Sequence, residues 1–286
     1  MNSATTITIA NELTVNRLGF GGMRLCGPGV WGWPANRENA LRVLRRALEL
    51  GVNFIDTADS YGPHVNEEQI AQALHPYPTG VVIATKGGLT RGGPSQWERD
   101  CRPSHLEEAC DGSLRRLRVD QIDLYQLHAV DPKVPFDEQV GTLRKLRDEG
   151  KIRHAGLSNV DLDQLLQAER ILEIASVQNN YNVGNRYSEP VLEYCEAKGI
   201  AFIPYFPLDG GDLHTIDVLA PIARAHGATL WQTGLAWLLG HSPAVLPIPG
   251  TSSLDHLAEN VASAGLQLTR DETAALDRLS AAETVR

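Results

Sequence analysis

Residues 136–159 read FDEQVGTLRKLRDEGKIRHAGLSN. Phe136, Val140, Leu143 and Leu146 recur at i, i+4, i+7 and i+10, a spacing that gives one face of a helix an apolar stripe. Gly150 stands where that helix should stop, because glycine accepts the left-handed backbone of a helix end at little steric cost. HAGLS (154–158) then reads as a short strand, and the polar pair Ser158 and Asn159 closes it. Strands apolar on both sides need cover on both sides, which is the condition of a parallel sheet wrapped by helices.

The same unit repeats outward in both directions. Strand-like runs occur at NFIDTA (53–58), VVIATKGG (81–88), IDLYQLH (122–128), SVQNN (176–180), AFIPYFP (201–207) and AVLPIPG (244–250). Helical patterns lie between them at 37–51, 66–75, 103–118, 161–173, 188–199, 216–240 and 253–262. Gly51 and Gly199 sit at helix ends as Gly150 does, and Ser104 with Glu107 has the spacing of a capping box. With LGFGGM (18–23) as the first strand, about eight strand–helix units fill the chain, as in a (β/α)8 TIM barrel of the α/β class. One domain spanning residues 1–286 is expected, since α/β barrels commonly reach this length. TITIANELTVN (6–16) reads as a short N-terminal β-hairpin turning at Asn11-Glu12, suited to plug the N-terminal mouth of the barrel.

In such a barrel the C-terminal ends of all strands share one face, where chemistry collects. Asp56, Lys86, His128, Ser158, Asn159, Gln178, Tyr205 and the Gly250-Thr251 pair all fall at strand ends, and Tyr61 follows Asp56 by five residues. Singly each is commonplace; together they face one mouth. A tyrosine ordinarily ionises near pH 10, so a lysine ammonium beside it, held by an aspartate, is expected to ease loss of its proton. A neutral histidine donates to an oxygen that gains negative charge. Asp56, Tyr61, Lys86 and His128 therefore suit protonation of a carbonyl as a hydride arrives. They contribute no electrons, so the hydride must come from a cofactor, most simply a nicotinamide. Asn159 and Gln178 suit its carboxamide, Tyr205 its ring face, and Gly250, Thr251 and the helix beginning at Leu254 a phosphate.

Composition removes several other classes. The 26 basic and 35 acidic residues give a net charge of −9, with no basic excess for nucleic acid or an anionic membrane. No apolar run reaches the roughly 18 residues that a membrane helix requires. The N-terminus lacks the basic and apolar segments of a secretory signal. Cys26, Cys101, Cys110 and Cys195 are scattered, which excludes a disulfide framework and fits reduced thiols in the cytoplasm. No His, Cys or carboxylate cluster has metal-site spacing, and neither a Rossmann nor a P-loop glycine pattern occurs.

FIDTADSYG (54–62), VVIATKGG (81–88), GSLRRLRVDQIDLYQLH (112–128), GKIRHAGLSN (150–159), SVQNNYN (176–182) and PIPGTSSLDHLAEN (247–260) resemble the motifs of the aldo-keto reductase superfamily. The resemblance covers nearly the whole chain. It implies a (β/α)8 barrel that binds an extended nicotinamide dinucleotide and reduces a small-molecule carbonyl. Tyr61 then looks like the general acid, Lys86 and Asp56 its tuning pair, and His128 the carbonyl-orienting group. Ser158, Asn159 and Gln178 look like the carboxamide clamp and Tyr205 the ring stacker. Gly22, Met23 and Asp56 would border the cofactor, Phe206, Pro207, Leu208 and on to Gly211 its pyrophosphate. Gly250, Thr251, Ser252, His256, Glu259 and Asn260 look like the adenosine end.

Many members carry a basic residue where Gly250 stands and an arginine where His256 stands, both gripping a 2′-phosphate. With Thr251, Ser252 and His256 left as donors, NADPH is expected ahead of NADH. GGMRLCGPGVWGWP (21–34), the stretch 57–78 and ATKGGLTRGGPSQW (84–97) are similar to a bacterial branch that includes pyridoxal reductases. Trp31, Trp33 and Trp97 lie on loops that would wall a planar substrate, and Arg24 or Arg91 would meet an anionic substituent. A monomer is expected. The alternative to a reductase is a nicotinamide-binding redox sensor or regulatory subunit with little turnover; a metal-dependent barrel hydrolase or isomerase is a more distant one.

Overall fold

The computed structural model describes residues 5–208 and 217–279. Asp209, Gly210 and Gly211, expected beside the pyrophosphate, lie outside the described residues. Strands β1 (Thr6–Ile9) and β2 (Leu13–Asn16) pair antiparallel; β3 (Phe20–Gly21) begins the parallel sheet. It continues through β4 (Phe54–Asp56), β5 (Val82–Gly87), β8 (Ile122–Leu127), β9 (Ile152–Ser158), β10 (Ile174–Gln178) and β11 (Ala201–Phe202), neighbours pairing in that order. A second hairpin, β6 (Leu89–Gly93) with β7 (Gln96–Arg99), follows β5. Helices α1 (Arg37–Glu49), α2 (Val65–Leu74), α3 (Pro103–Leu117), α4 (Phe136–Asp148), α5 (Leu162–Glu169) and α6 (Glu189–Lys198) alternate with the sheet strands. Helices α7 (Leu219–Ala225), α8 (Leu230–His241), α9 (Leu254–Ala262) and α10 (Arg270–Asp277) complete the described chain.

The sheet closes through residues 244–249. Phe202 N donates to Ala244 O at 2.9 Å and Leu246 N to Phe202 O at 2.8 Å on one side. On the other, Gly19 N donates to Pro247 O at 2.9 Å and Gly21 N to Pro249 O at 3.4 Å. Pro247 and Pro249 have no N–H to give, so toward β3 this segment pairs through its carbonyls, and it forms a single isolated bridge, Val245 with Phe202, rather than a regular strand. The expected (β/α)8 architecture is present, with its eighth strand in this reduced form.

The N-terminal hairpin plugs the barrel as expected. Ile9, Leu13 and Val15 pack against Phe54, Val82, Leu124, Ala175, Ala201, Leu246 and Ile248, which point into the barrel. Its turn is one residue earlier than expected. Ala10 and Asn11 hold the central positions at φ 50° and 58°, closed by Glu12 N to Ile9 O at 3.0 Å. Two positive φ values in succession match the right-handed twist of the flanking strands.

A larger apolar layer lies between sheet and helices. Val140, Leu143 and Leu146 of α4 are fully buried there, and Phe136 packs on the same layer. Each such side chain contributes about 1.5–3 kcal/mol relative to exposure. Two local expectations are corrected. Pro103 already occupies the first turn of α3, so Arg102 is the N-cap and the Ser104–Glu107 capping box does not form. The first barrel strand is shorter than 18–23, because Gly22–Leu25 winds into a 3-10 turn.

Candidate active site

Strand register brings the predicted groups together. Ala84, two residues before Lys86, pairs with Asp56, Lys86 with Gln126, and Ser158 with Gln178, so these residues end at one height around the C-terminal mouth. Lys86 is fully buried and Asp56 nearly so. Lys86 Nζ donates to Asp56 Oδ2 at 2.7 Å and to Thr57 O at 2.8 Å. Asp56 Oδ1 accepts from Gln178 Nε2 at 2.8 Å and from Gln126 Nε2 at 3.4 Å. Isolated charges at this depth would be prohibitive; paired and hydrogen-bonded, they persist.

Tyr61 lies over this pair, with Lys86 Nζ 5.2 Å from its ring centroid. His128 meets the same ring edge-on, centroids 5.7 Å apart. Both rings are only 7% exposed, enough to open onto the mouth. Ser60 Oγ sits 3.3 Å from His128 Nδ1, and Asn159 Nδ2 donates to the His128 carbonyl at 2.9 Å. The four predicted groups therefore share one pocket.

The electrostatics differ from the expectation in one respect. Burial first, and then the Asp56 carboxylate, push the Tyr61 phenol well above its ordinary value. Lys86 is bound so closely to Asp56 that the pair presents little net charge to the ring. Tyr61 therefore rests as a firmly protonated phenol, not one eased toward phenolate. Burial also lowers the Lys86 amine, while Asp56 holds it up. Burial, with the charges of Lys86 and Arg91, drives His128 well below the usual imidazole range, so its ring is neutral.

Around the rim, Trp97 on β7 meets Tyr61 at 6.3 Å and His128 at 6.4 Å, both edge-on. Trp31 bridges to Gly62, beside Tyr61. Trp33 instead lies under the Arg37 guanidinium of α1, 4.3 Å from its ring centroid. Among the described residues no group of three His, Cys, Asp or Glu side chains is placed to hold a metal ion, and no helix is long and apolar enough to cross a membrane.

The groups expected to hold a dinucleotide fall on several elements of the barrel. Ser158 and Gln178 are buried, while Asn159 is exposed at φ 59°. Tyr205 OH donates to Asn159 Oδ1 at 2.7 Å, and Phe206 stands perpendicular to the Tyr205 ring. A Cβ on Gly250 would meet Gly21 O at 2.5 Å, and one on Gly21 would meet Ile248 O at 2.6 Å. Bare backbone thus lines this seam, and Gly250 has no space for a side chain. The Arg24 side chain passes beside it, its Cγ 3.4 Å from that Cβ position. Thr251 Oγ1 accepts from Ser253 N, Ser253 caps α9, and Ser252 and His256 are exposed at its first turn. Met23 lies in the 3-10 turn after β3 and Leu208 packs on the apolar layer between sheet and helices; Glu259 gives its carbonyl to Gln232 Nε2, and Asn260 is buried with its carbonyl bound by Ser263 Oγ. Amides and a hydroxyl that match a carboxamide at one end, with donors for phosphates at the other, fit an extended dinucleotide.

Sequence reasoning missed the residues that hold these in place. Asn66 accepts from Thr57 Oγ1 at 2.7 Å and donates to Gly22 O at 2.9 Å, tying the first loop to the strand end carrying Asp56. Gln126 and Ser60 support Asp56 and His128. Arg91 binds no exposed anion site but five backbone carbonyls. The recurrence of polar residues inside apolar strands was the signal for Gln126; for Arg91 none existed.

The sequence pattern of the aldo/keto reductase family matches residues 17–281. An uncharacterised oxidoreductase of Schizosaccharomyces pombe is 46% identical over 286 residues, covering all of this chain and 93% of that one. Pyridoxine 4-dehydrogenase of Escherichia coli is 41% identical over 284 residues, covering 97% of this chain and 99% of the relative. Among solved structures, an aldo/keto reductase from Klebsiella pneumoniae in complex with NADP and acetate is similar with a TM-score of 0.81 at 30% identity, over 96% of this chain and 95% of that one. Barrel, motifs and relatives agree over the length of the chain: it belongs to the aldo/keto reductase family and is an NAD(P)H-dependent oxidoreductase.

Proposed function

We propose that the chain interconverts a planar aromatic aldehyde of the pyridoxal class and its alcohol, with NADPH preferred to NADH. The observation that carries this reading is the buried Asp56–Lys86 pair beneath a protonated Tyr61 and a neutral His128. Ser158, Asn159, Gln178 and Tyr205 would hold a reduced nicotinamide, which would supply the hydride. His128 orients the carbonyl: in the tautomer whose Nδ1 accepts from the Ser60 hydroxyl, 3.3 Å away, the imidazole proton sits on Nε2, available to the substrate oxygen. Tyr61 delivers its proton to that oxygen as charge develops there. The phenolate left behind lies beside the Lys86–Asp56 pair until a solvent proton restores the acid.

The likeness to a pyridoxine 4-dehydrogenase supports the substrate class, and Trp97 beside Tyr61 supports a flat ring. Thr251, Ser252 and His256, which keep hydroxyl and imidazole donors at the start of α9, support the 2′-phosphate of NADPH. The test is the purified protein with NADPH or NADH against pyridoxal, benzaldehyde and a sugar aldehyde, followed by loss of the reduced cofactor's absorbance. Turnover of pyridoxal with NADPH is expected to lead the panel. A sugar aldehyde turned over faster than both aromatic ones would overturn the substrate class.

A further inference from the structure

Arg91 sits on β6, in the hairpin that follows Lys86, and every N–H of its guanidinium faces a backbone carbonyl. Nε donates to Gln96 O at 2.8 Å. Nη1 donates to Val30 O at 2.8 Å and Ser60 O at 3.0 Å. Nη2 donates to Gly29 O at 2.7 Å and Gly93 O at 3.4 Å. Those carbonyls belong to three separate loops: the one after β3, the one between β4 and α2, and the hairpin itself. The Ser60 carbonyl is part of the peptide bond that leads into Tyr61, so this bond fixes the backbone bearing the proposed acid.

The same guanidinium also fixes a wall. Its Cζ lies 3.6 Å from the Trp97 ring centroid and 5.8 Å from that of Trp31. With one face against this cation, the Trp97 indole keeps 39% of its surface exposed and stands edge-on to both Tyr61 and His128. A guanidinium stacked on an indole face is held by the ring quadrupole, which favours one rotamer of an otherwise exposed side chain.

We infer that Arg91 is a specificity-determining positioning residue, which locks Trp97 at a set distance from Tyr61 and so forms a slot for a flat, π-surfaced carbonyl compound rather than a saturated chain. The inference rests on the reductase reading above and deepens it by assigning the origin of the ring preference. It also removes Arg91 as a partner for an anionic substituent of the substrate, because its donors are already committed to carbonyls. Only a planar fork can reach three loops at once; a lysine has one nitrogen to offer.

Arg91→Lys and Trp97→Leu, compared with the wild type, test it. In Arg91→Lys, kcat/KM for benzaldehyde or pyridoxal is expected to fall about a hundredfold, the cost of a misplaced reacting group. The fall for a short saturated aldehyde is expected to be smaller, while binding of NADPH, read by its fluorescence, is retained. Trp97→Leu, which leaves the Arg91 hydrogen bonds in place, is expected to lose the ring preference mainly through KM. Amide exchange supplies a readout free of turnover: residues 27–32, 60–62 and 93–97 should all exchange faster in Arg91→Lys. Faster exchange in the hairpin alone, or an unchanged ratio of aromatic to saturated turnover, would overturn the inference. A wild type that reduces no aldehyde while the three loops respond together would instead reject the functional reading and leave the clamp standing.

Discussion

The two ends of this barrel handle buried charge in opposite ways. At the N-terminal end Arg17, 5% exposed, donates to Ser242 O at 2.5 Å and to Val245 O at 3.3 Å. Asn53 binds Gly80 O and Thr14 O and accepts from Asn16 N, stitching the plug to the strands. Arg17 and Asn53 there both close gaps in the backbone. At the C-terminal end, Lys86 and Asp56 neutralise one another, while the Tyr61 phenol and the His128 imidazole are displaced far from their ordinary proton affinities in a pocket that opens outward. The bottom consumes its hydrogen-bonding capacity in holding the barrel shut; the top retains capacity for a ligand.

The contrast is sharpest at Lys86. Lys86→Met leaves Asp56 buried without its counter-charge and should cost about 3–5 kcal/mol of stability in urea unfolding, together with turnover. Lys86→Met combined with Asp56→Leu should recover much of that stability and none of the activity. Recovery of turnover in the double variant would show that the pair is structural, as Arg17 is. Next in size, Tyr61→Phe should lower kcat by about 10²–10⁴ while nicotinamide binding and the unfolding midpoint stay near wild type. Arg17→Met supplies the mirror image: about 1–3 kcal/mol lost from unpaired carbonyls at the bottom, with kinetic constants unchanged.

The smallest effect separates the ends by pH. The unfolded His128 imidazole takes up a proton near pH 6.5. The folded one, held neutral, does so only at lower pH. Below the unfolded value the unfolded chain therefore binds more protons, so stability declines as pH falls toward the depressed folded value. His128→Gln should flatten that limb of a pH–stability curve. An unaltered acid limb would mean that other groups dominate it.

Much of the top end is legible in the chain because an apolar strand that stops at a lone polar residue marks its own end. Asp56, His128 and Gln178 announce themselves in this way, and the glycines after α1 and α4 mark where each helix yields to the next strand. The β6–β7 hairpin carries no such mark: LTRGG and QWER alternate no apolar face, and the pairing rests on backbone bonds and on Arg91, which binds Gln96 O and stacks on Trp97. Arg91 is hidden for the same reason, since its partners are carbonyls that every residue possesses.

By itself, the order of apolar and polar residues determined the barrel, the face on which chemistry collects, and the four side chains that meet there, because periodicity and strand direction are local properties of the chain. Only the tertiary structure decided that Tyr61 stays protonated, that the plug turns at Ala10-Asn11, that Pro247 and Pro249 close the barrel through their carbonyls, and that Arg91 knits three loops. Proton affinity depends on which charges and how much water surround a group. A backbone hydrogen bond depends on where two carbonyls come to lie, and neither is written in the identity of the residue that bears it.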